Sequence, residues 1–88
     1  MATPRYVVAI VDDDPGMRQS LEIMLRAFGY CTETYASAEE FIRAATTTEA
    51  ACLVVDIQLS DISGIELGRL LSAAGFEFPI IFITGSWD

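Results

Sequence analysis

These 88 residues, 52% hydrophobic and 20% charged, describe a single globular domain a little shorter than the roughly 100 to 150 residues commonest for one. Thirteen acids against five arginines, with no lysine and no histidine, give a net charge of −8, which repels a phosphate backbone and argues against direct nucleic-acid binding by this chain. Without histidine there is no zinc-type ligand set and no imidazole acid–base catalysis, so any chemistry must run on carboxylates and hydroxyls.

Met1 to Pro4 is short and polar, and the apolar segment after Arg5 runs straight into three aspartates, unlike a signal peptide. No apolar stretch approaches the roughly 18 residues of a membrane span, so a soluble, cytoplasmic chain with no membrane partner is expected. Tyr6 to Val11 is a continuous β-branched and aromatic run, read as a first strand, and it ends in Asp12, Asp13 and Asp14. Pro15 and Gly16 open a helix, with an aspartate before them as N-cap. Met17, Leu21, Met24, Leu25 and Phe28 recur at helical spacing as its apolar face, opposite Arg18, Glu22 and Arg26, and Gly29 stops it. Tyr30 to Ala36 carries β-formers with partial alternation, as an outer strand with one wetter face does. Ser37 with Glu40 forms a capping box for a brief second helix, whose apolar face is Phe41, Ile42 and Ala45.

Ala51 to Asp56, Ala-Cys-Leu-Val-Val-Asp, reads as a central strand, because an uninterrupted apolar run is what a parallel sheet covered on both faces requires. Its last residue is a carboxylate. Ile57 to Ser63 is a turn-rich connection, and Ser63 with Glu66 makes a second capping box. Ile65, Leu67, Leu70 and Leu71 give the third helix its buried side, and Gly75 caps it. Pro79 to Thr84 is a fourth strand, ending in Thr84 and Gly85. Cys31 and Cys52 lack CxxC spacing and are expected as small buried hydrophobes rather than a disulfide or metal pair. This β-α-β-α-β-α-β alternation, without repeats or linkers, predicts an α/β fold. Short loops and right-handed crossovers imply a parallel sheet with helices on both faces, and the expected strand order is 2-1-3-4, a flavodoxin-like sheet.

Strands 1, 3 and 4 point their carboxyl ends to one rim, which brings together Asp12, Asp13, Asp56 and Thr84. In open α/β sheets that rim is where ligands bind. Each of these residues alone has a plainer explanation, as a helix cap, a turn-capping acid or a strand-end hydroxyl. Together, carboxylates within a few ångströms repel one another and persist with a hard cation between them, for which Mg²⁺ is the natural candidate. Asp56 in the middle is placed to attack phosphorus as a covalent phosphoryl acceptor, with Thr84 donating a hydrogen bond to one phosphoryl oxygen.

Three stretches carry a resemblance: Val-Asp-Asp-Asp-Pro after the first strand, Leu-Val-Val-Asp-Ile-Gln-Leu-Ser-Asp-Ile-Ser-Gly on the central one, and Ile-Phe-Ile-Thr-Gly at the fourth. Together they resemble the receiver domains of bacterial two-component response regulators, a CheY-like fold, over the whole chain. The resemblance implies that Asp56 receives a phosphoryl group from a histidine kinase. It implies that Asp12 and Asp13 bind Mg²⁺, Asp13 directly, together with Asp56 and the backbone carbonyl of Gln58, and that Thr84 is the switch hydroxyl. At most such a chain performs its own Mg²⁺-dependent phosphorylation and dephosphorylation at Asp56; it is not a dedicated enzyme. The style is also similar to receivers that precede a helix-turn-helix output domain. Receivers continue past the fourth strand with a fourth helix, a fifth strand bearing a phosphate-pairing lysine, and a fifth helix. Residues 1–88, read as one receiver-like domain, lack these, so impaired signalling output is expected. Ser60 stands where the family usually has proline, which restores a free φ angle in the loop after Asp56.

Two other readings compete. One is a dimerising interaction module with vestigial acids, in which an exposed edge from Ile80 to Ile83 pairs with a second copy. The other, a phosphatase of the haloacid dehalogenase type, needs a second aspartate two residues after the first, where Gln58 stands. Trp87, close to the expected site, is a natural fluorescence reporter.

Overall fold

The computed structural model describes residues 5–84, so the expectations placed on Gly85 and Trp87 lie outside the described residues. In chain order the elements are β1 (Val7–Val11), α1 (Pro15–Ala27), β2 (Cys31–Tyr35), α2 (Ala38–Ala44), β3 (Ala50–Asp56), α3 (Gly64–Ala73) and β4 (Ile80–Ile83). All strand pairs are parallel, in the order β2-β1-β3-β4. That is the order expected of a flavodoxin-like sheet.

Local chemistry explains where the helices begin and end. The Asp14 carboxylate accepts from the amides of Gly16 and Met17 at 2.9 and 3.4 Å, and Pro15 follows it where no amide is needed. Before α2, Ser37 Oγ accepts from Glu40 N–H at 3.1 Å. Glu40 Oε2 reaches back to Ala36 N–H at 2.8 Å, one residue earlier than an ordinary capping box. Ser63 Oγ accepts from Glu66 N–H at 3.0 Å to start α3. After α1 and α3 the chain reverses through Gly29 (φ 95°) and Gly75 (φ 91°), a left-handed conformation that costs glycine little.

The main core lies between the sheet and the pair α2 and α3: Ala9, Val11, Leu53 and Val55 from the strands meet Ala38, Phe41, Ala45, Leu67 and Leu71. Phe41 is wholly buried, edge-on to Tyr35 and Phe78 at centroid distances of 5.2 and 5.5 Å. Strand alternation turns Val8, Ile10 and Val54, also buried, to the opposite face, on which α1 packs. The expected apolar face of α1 is only partly realised. No residue of that helix is fully buried, and Met24 and Phe28 are 49% and 75% exposed. A helix lying along β1 and β2 buries only the part of its stripe that meets the strands, and Phe28 stands past the last turn of α1 as its C-cap. For the same reason Ile65 and Leu70 of α3 remain about half exposed while Leu67 and Leu71 are buried. Cys31 and Cys52 are half-buried free thiols. They pair in register with Val7 and Val8, adjacent residues of β1, and so point to opposite faces.

Candidate functional site

The rim at the carboxyl ends of the strands is assembled by two similar turns. β1 runs one residue past its end, with Asp12 N–H donating to Tyr35 O at 3.1 Å, and then bends into α1 as Asp14 N–H donates to Asp12 Oδ1 at 2.9 Å. β3 ends on Asp56, and Gln58 N–H donates to Asp56 Oδ1 at 3.0 Å. Each aspartate thus spends one oxygen on the amide two residues ahead, as Asx turns do, and keeps the other for the site.

Both side chains are taken out of water: Asp12 is 1% exposed and Asp56 7%. Asp13 is half-buried beside them, and one oxygen from each of the three carboxylates lies within 4.8 Å of the others. Among the described residues, Asp12 Oδ2 is buried and makes no hydrogen bond. Burial pushes the Asp12 carboxyl above the ordinary aspartate range; the Asp14 amide works against this, and the negative charges of Asp56, Asp13 and Asp14 add to it. An unpartnered buried carboxylate oxygen on a residue clustered with two more carboxylates is costly by itself and well matched to a small hard cation. The donor set therefore fits Mg²⁺, with Asp12, Asp13 and Asp56 as the residues able to hold it.

The structure brings the three acids together as the sequence led one to expect. Thr84 follows Ile83, which lies opposite Asp56 in the β3–β4 register and accepts from Ile57 N–H at 2.8 Å, so Thr84 stands at the same rim. Gln58 enters through its amide, which orients Asp56.

Three further residues shape the site and were not legible beforehand. Arg18, read as solvent-facing on α1, folds back so that Nη1 donates to the Asp12 carbonyl at 2.8 Å. Gly64 packs against the end of β3 so closely that a Cβ there would lie 2.2 Å from the Asp56 carbonyl oxygen. Asp61 accepts from the amides of Glu39 and Ala38 at 3.0 and 3.4 Å, across 22 and 23 residues of sequence. Its desolvation raises the pKa, but the amides of Glu39, Ile62, Ala38 and Asp61 itself outweigh that and hold the carboxyl below its ordinary value. Nothing in sequence spacing distinguishes such residues from solvated charges, since their partners are set by chain crossings.

Comparison with known proteins agrees with this geometry. Residues 8–88 match the response regulator receiver domain. The response regulator protein TodT of Pseudomonas putida is 33% identical over 88 residues, covering 100% of this chain and 39% of TodT. The crystal structure of FixJ-N superposes with a TM-score of 0.87 at 38% identity, over 98% of this chain and 69% of that one. The response regulator TrrA of Thermotoga maritima, solved in complex with Mg²⁺–BeF, superposes with a TM-score of 0.84 at 26% identity, over 92% of this chain and 70% of that one. The chain spans about two-fifths of the length of the curated relatives it matches. On the match of nearly all its residues, on its sheet order and on the carboxylates gathered at the sheet rim, this chain belongs to the response regulator receiver domain family of two-component systems.

Proposed function

We propose that this chain is a phosphoacceptor, in which Asp56 takes a phosphoryl group from a histidine kinase in the cytoplasm. The observation that carries the reading is the buried Asp12 Oδ2, which has no partner of its own, within a carboxylate cluster that includes Asp56. Asp56 Oδ1 is engaged by the Gln58 amide, so Oδ2 is the oxygen left to attack phosphorus. In the transfer an O–P bond forms at Asp56 as the N–P bond of the donor phosphohistidine breaks, and the electron pair returns to the imidazole. Mg²⁺, when held by Asp12, Asp13, Asp56 and the Gln58 carbonyl, supplies charge neutralisation on the transferring group. Asp12 and Asp13 bind, Asp56 reacts, and Thr84 at the neighbouring strand end donates a hydrogen bond from its hydroxyl to a phosphoryl oxygen and acts as the switch.

The test is intact mass after incubation with acetyl phosphate and Mg²⁺, with Asp56→Asn alongside. Gain of one phosphoryl group by the parent alone is the expected result; no gain in folded protein removes the proposal. A second reading is favoured by β4, an edge strand among the described residues on which Ile81 and Phe82 are 58% and 41% exposed. There the chain associates with a second copy through Ile80 to Ile83, the acids being vestigial. A mass that stays monomeric across the accessible concentration range excludes it.

A further inference from the structure

The loop from Ile57 to Ser63 joins Asp56 to α3 and contains no proline, so nothing in its own backbone chemistry restrains it. Its first amide, Ile57 N–H, donates to Ile83 O at 2.8 Å and its Leu59 and Ile62 pack against the main core; hydrogen bonds hold it at two further places. At its base, Gly64 N–H donates to Ile57 O at 2.8 Å. At its tip, the side chain of the exposed Asp61 reaches α2, with Oδ2 accepting from Glu39 N–H at 3.0 Å and Oδ1 from Ala38 N–H at 3.4 Å. Ser37 Oγ already takes the amide of Glu40, so Asp61 satisfies the two amides of that first turn that the local cap leaves over. The anchor itself does not move readily, because Ala38 and Phe41 are wholly buried in the main core. Three residues before Asp61, the Gln58 amide donates to Asp56 Oδ1 at 3.0 Å.

We infer that Asp61 is a positioning residue for the phosphoacceptor: by pinning the loop tip to α2 it keeps the Gln58 amide on Asp56 Oδ1 and leaves Oδ2 turned toward the incoming phosphorus. The inference rests on the reading of Asp56 given above. It differs from simple helix capping in one respect: loss of the tie is felt at Gln58 and Asp56, not only at α2.

The experiment compares the parent with Asp61→Ala and Asp61→Asn, each checked for folding by far-UV circular dichroism. The readouts are the rate of phosphoryl gain from acetyl phosphate at saturating Mg²⁺ and the Gln58 amide resonance in the apo protein. Because a lost hydrogen bond and a small misplacement of reacting atoms both slow transfer, Asp61→Ala should be about tenfold slower. Asp61→Asn, which keeps one acceptor oxygen, should be about threefold slower. In both variants the Gln58 resonance shifts and its hydrogen exchange quickens. Parent-like rates with only the Ala38 and Glu39 amides perturbed would overturn the inference and leave Asp61 as a cap of α2. If Asp61→Ala does not fold, Asp61→Asn decides alone by the same two readouts. If the parent itself gains no phosphoryl group, the phosphoacceptor reading fails, while the Gln58 resonance still judges whether the tie reaches the site.

Discussion

Replacing Asp12 by asparagine should make the metal-free protein more stable, although Asp12 is among the most buried polar residues of the fold. Asp12 and Asp56 are 1% and 7% exposed, and the three clustered carboxylates present oxygens within 4.8 Å of one another. Two unit charges at that separation repel by about 3.5 kcal/mol at an effective dielectric of 20 and by about 0.9 kcal/mol in water. Asn keeps the oxygen that accepts from Asp14 N–H and puts an NH₂ donor where the unpartnered Oδ2 now lies, which turns repulsion into attraction. Against this stand a weaker bond to Asp14 and the cost of burying an amide, each about 1 kcal/mol. At the higher of these repulsions a net gain of about 1.5 kcal/mol follows, and for a domain of this size it raises Tm by about 6 to 12 °C. Thermal and urea unfolding in EDTA at neutral pH measures it. Adding Mg²⁺ should raise the parent's stability, by about 1.4 kcal/mol at ten times the dissociation constant, and raise that of Asp12→Asn far less. An Asp12→Asn protein no more stable than the parent in EDTA would refute the claim that the site stores unfavourable charge.

Other consequences follow from the same structure. Gly64→Ala drives a Cβ to 2.2 Å from the Asp56 carbonyl oxygen and 2.8 Å from Val55 Cγ1, and urea unfolding should show a loss of about 3 kcal/mol or more. Gly68→Ala, whose Cβ would come no nearer than 3.4 Å to Ile80 Cδ1 and Phe82 Cζ, the far ends of two side chains, should be neutral or up to about 1 kcal/mol stabilising through helix propensity. Phe41→Ala empties a site between Tyr35 and Phe78 and should cost about 3 to 5 kcal/mol, read in the same assay. The two perturbed aspartates give opposite pH signs. Asp12, raised when folded, costs stability while ionised, and that cost is relieved as pH falls from neutral through its raised value toward the unfolded value near 3.8. Asp61, lowered when folded, contributes stability that is present above the unfolded value and is lost as pH falls below 3.8 through its folded one. Urea midpoints of the parent, Asp12→Asn and Asp61→Asn between pH 3 and 7 should therefore bring the parent toward Asp12→Asn as pH falls to about 4, and toward Asp61→Asn only below that.

What the amino-acid sequence determined by itself is everything carried by periodicity and by neighbours a few residues apart. Continuous, short, β-branched apolar runs in Val7 to Val11 and in Leu53 to Val55 read as strands covered on both faces. The caps Asp14, Ser37 and Ser63 lie within three residues of the amides they accept from. The expected flavodoxin-like order 2-1-3-4 is the one observed, and with it Asp12, Asp13 and Asp56 meet at one rim. Only the tertiary structure decided how much of each apolar stripe is covered, because burial depends on which neighbours arrive: Met24, Phe28, Ile65 and Leu70 have helical spacing yet stay exposed. It also decided the partners of long or distant side chains. Arg18 returns to the carbonyl of Asp12, Asp61 crosses 22 residues to Glu39, and Gly64 is required by a close approach of backbone to Asp56. Pairings of this kind are fixed by where two segments cross in space, and no spacing along the chain records it.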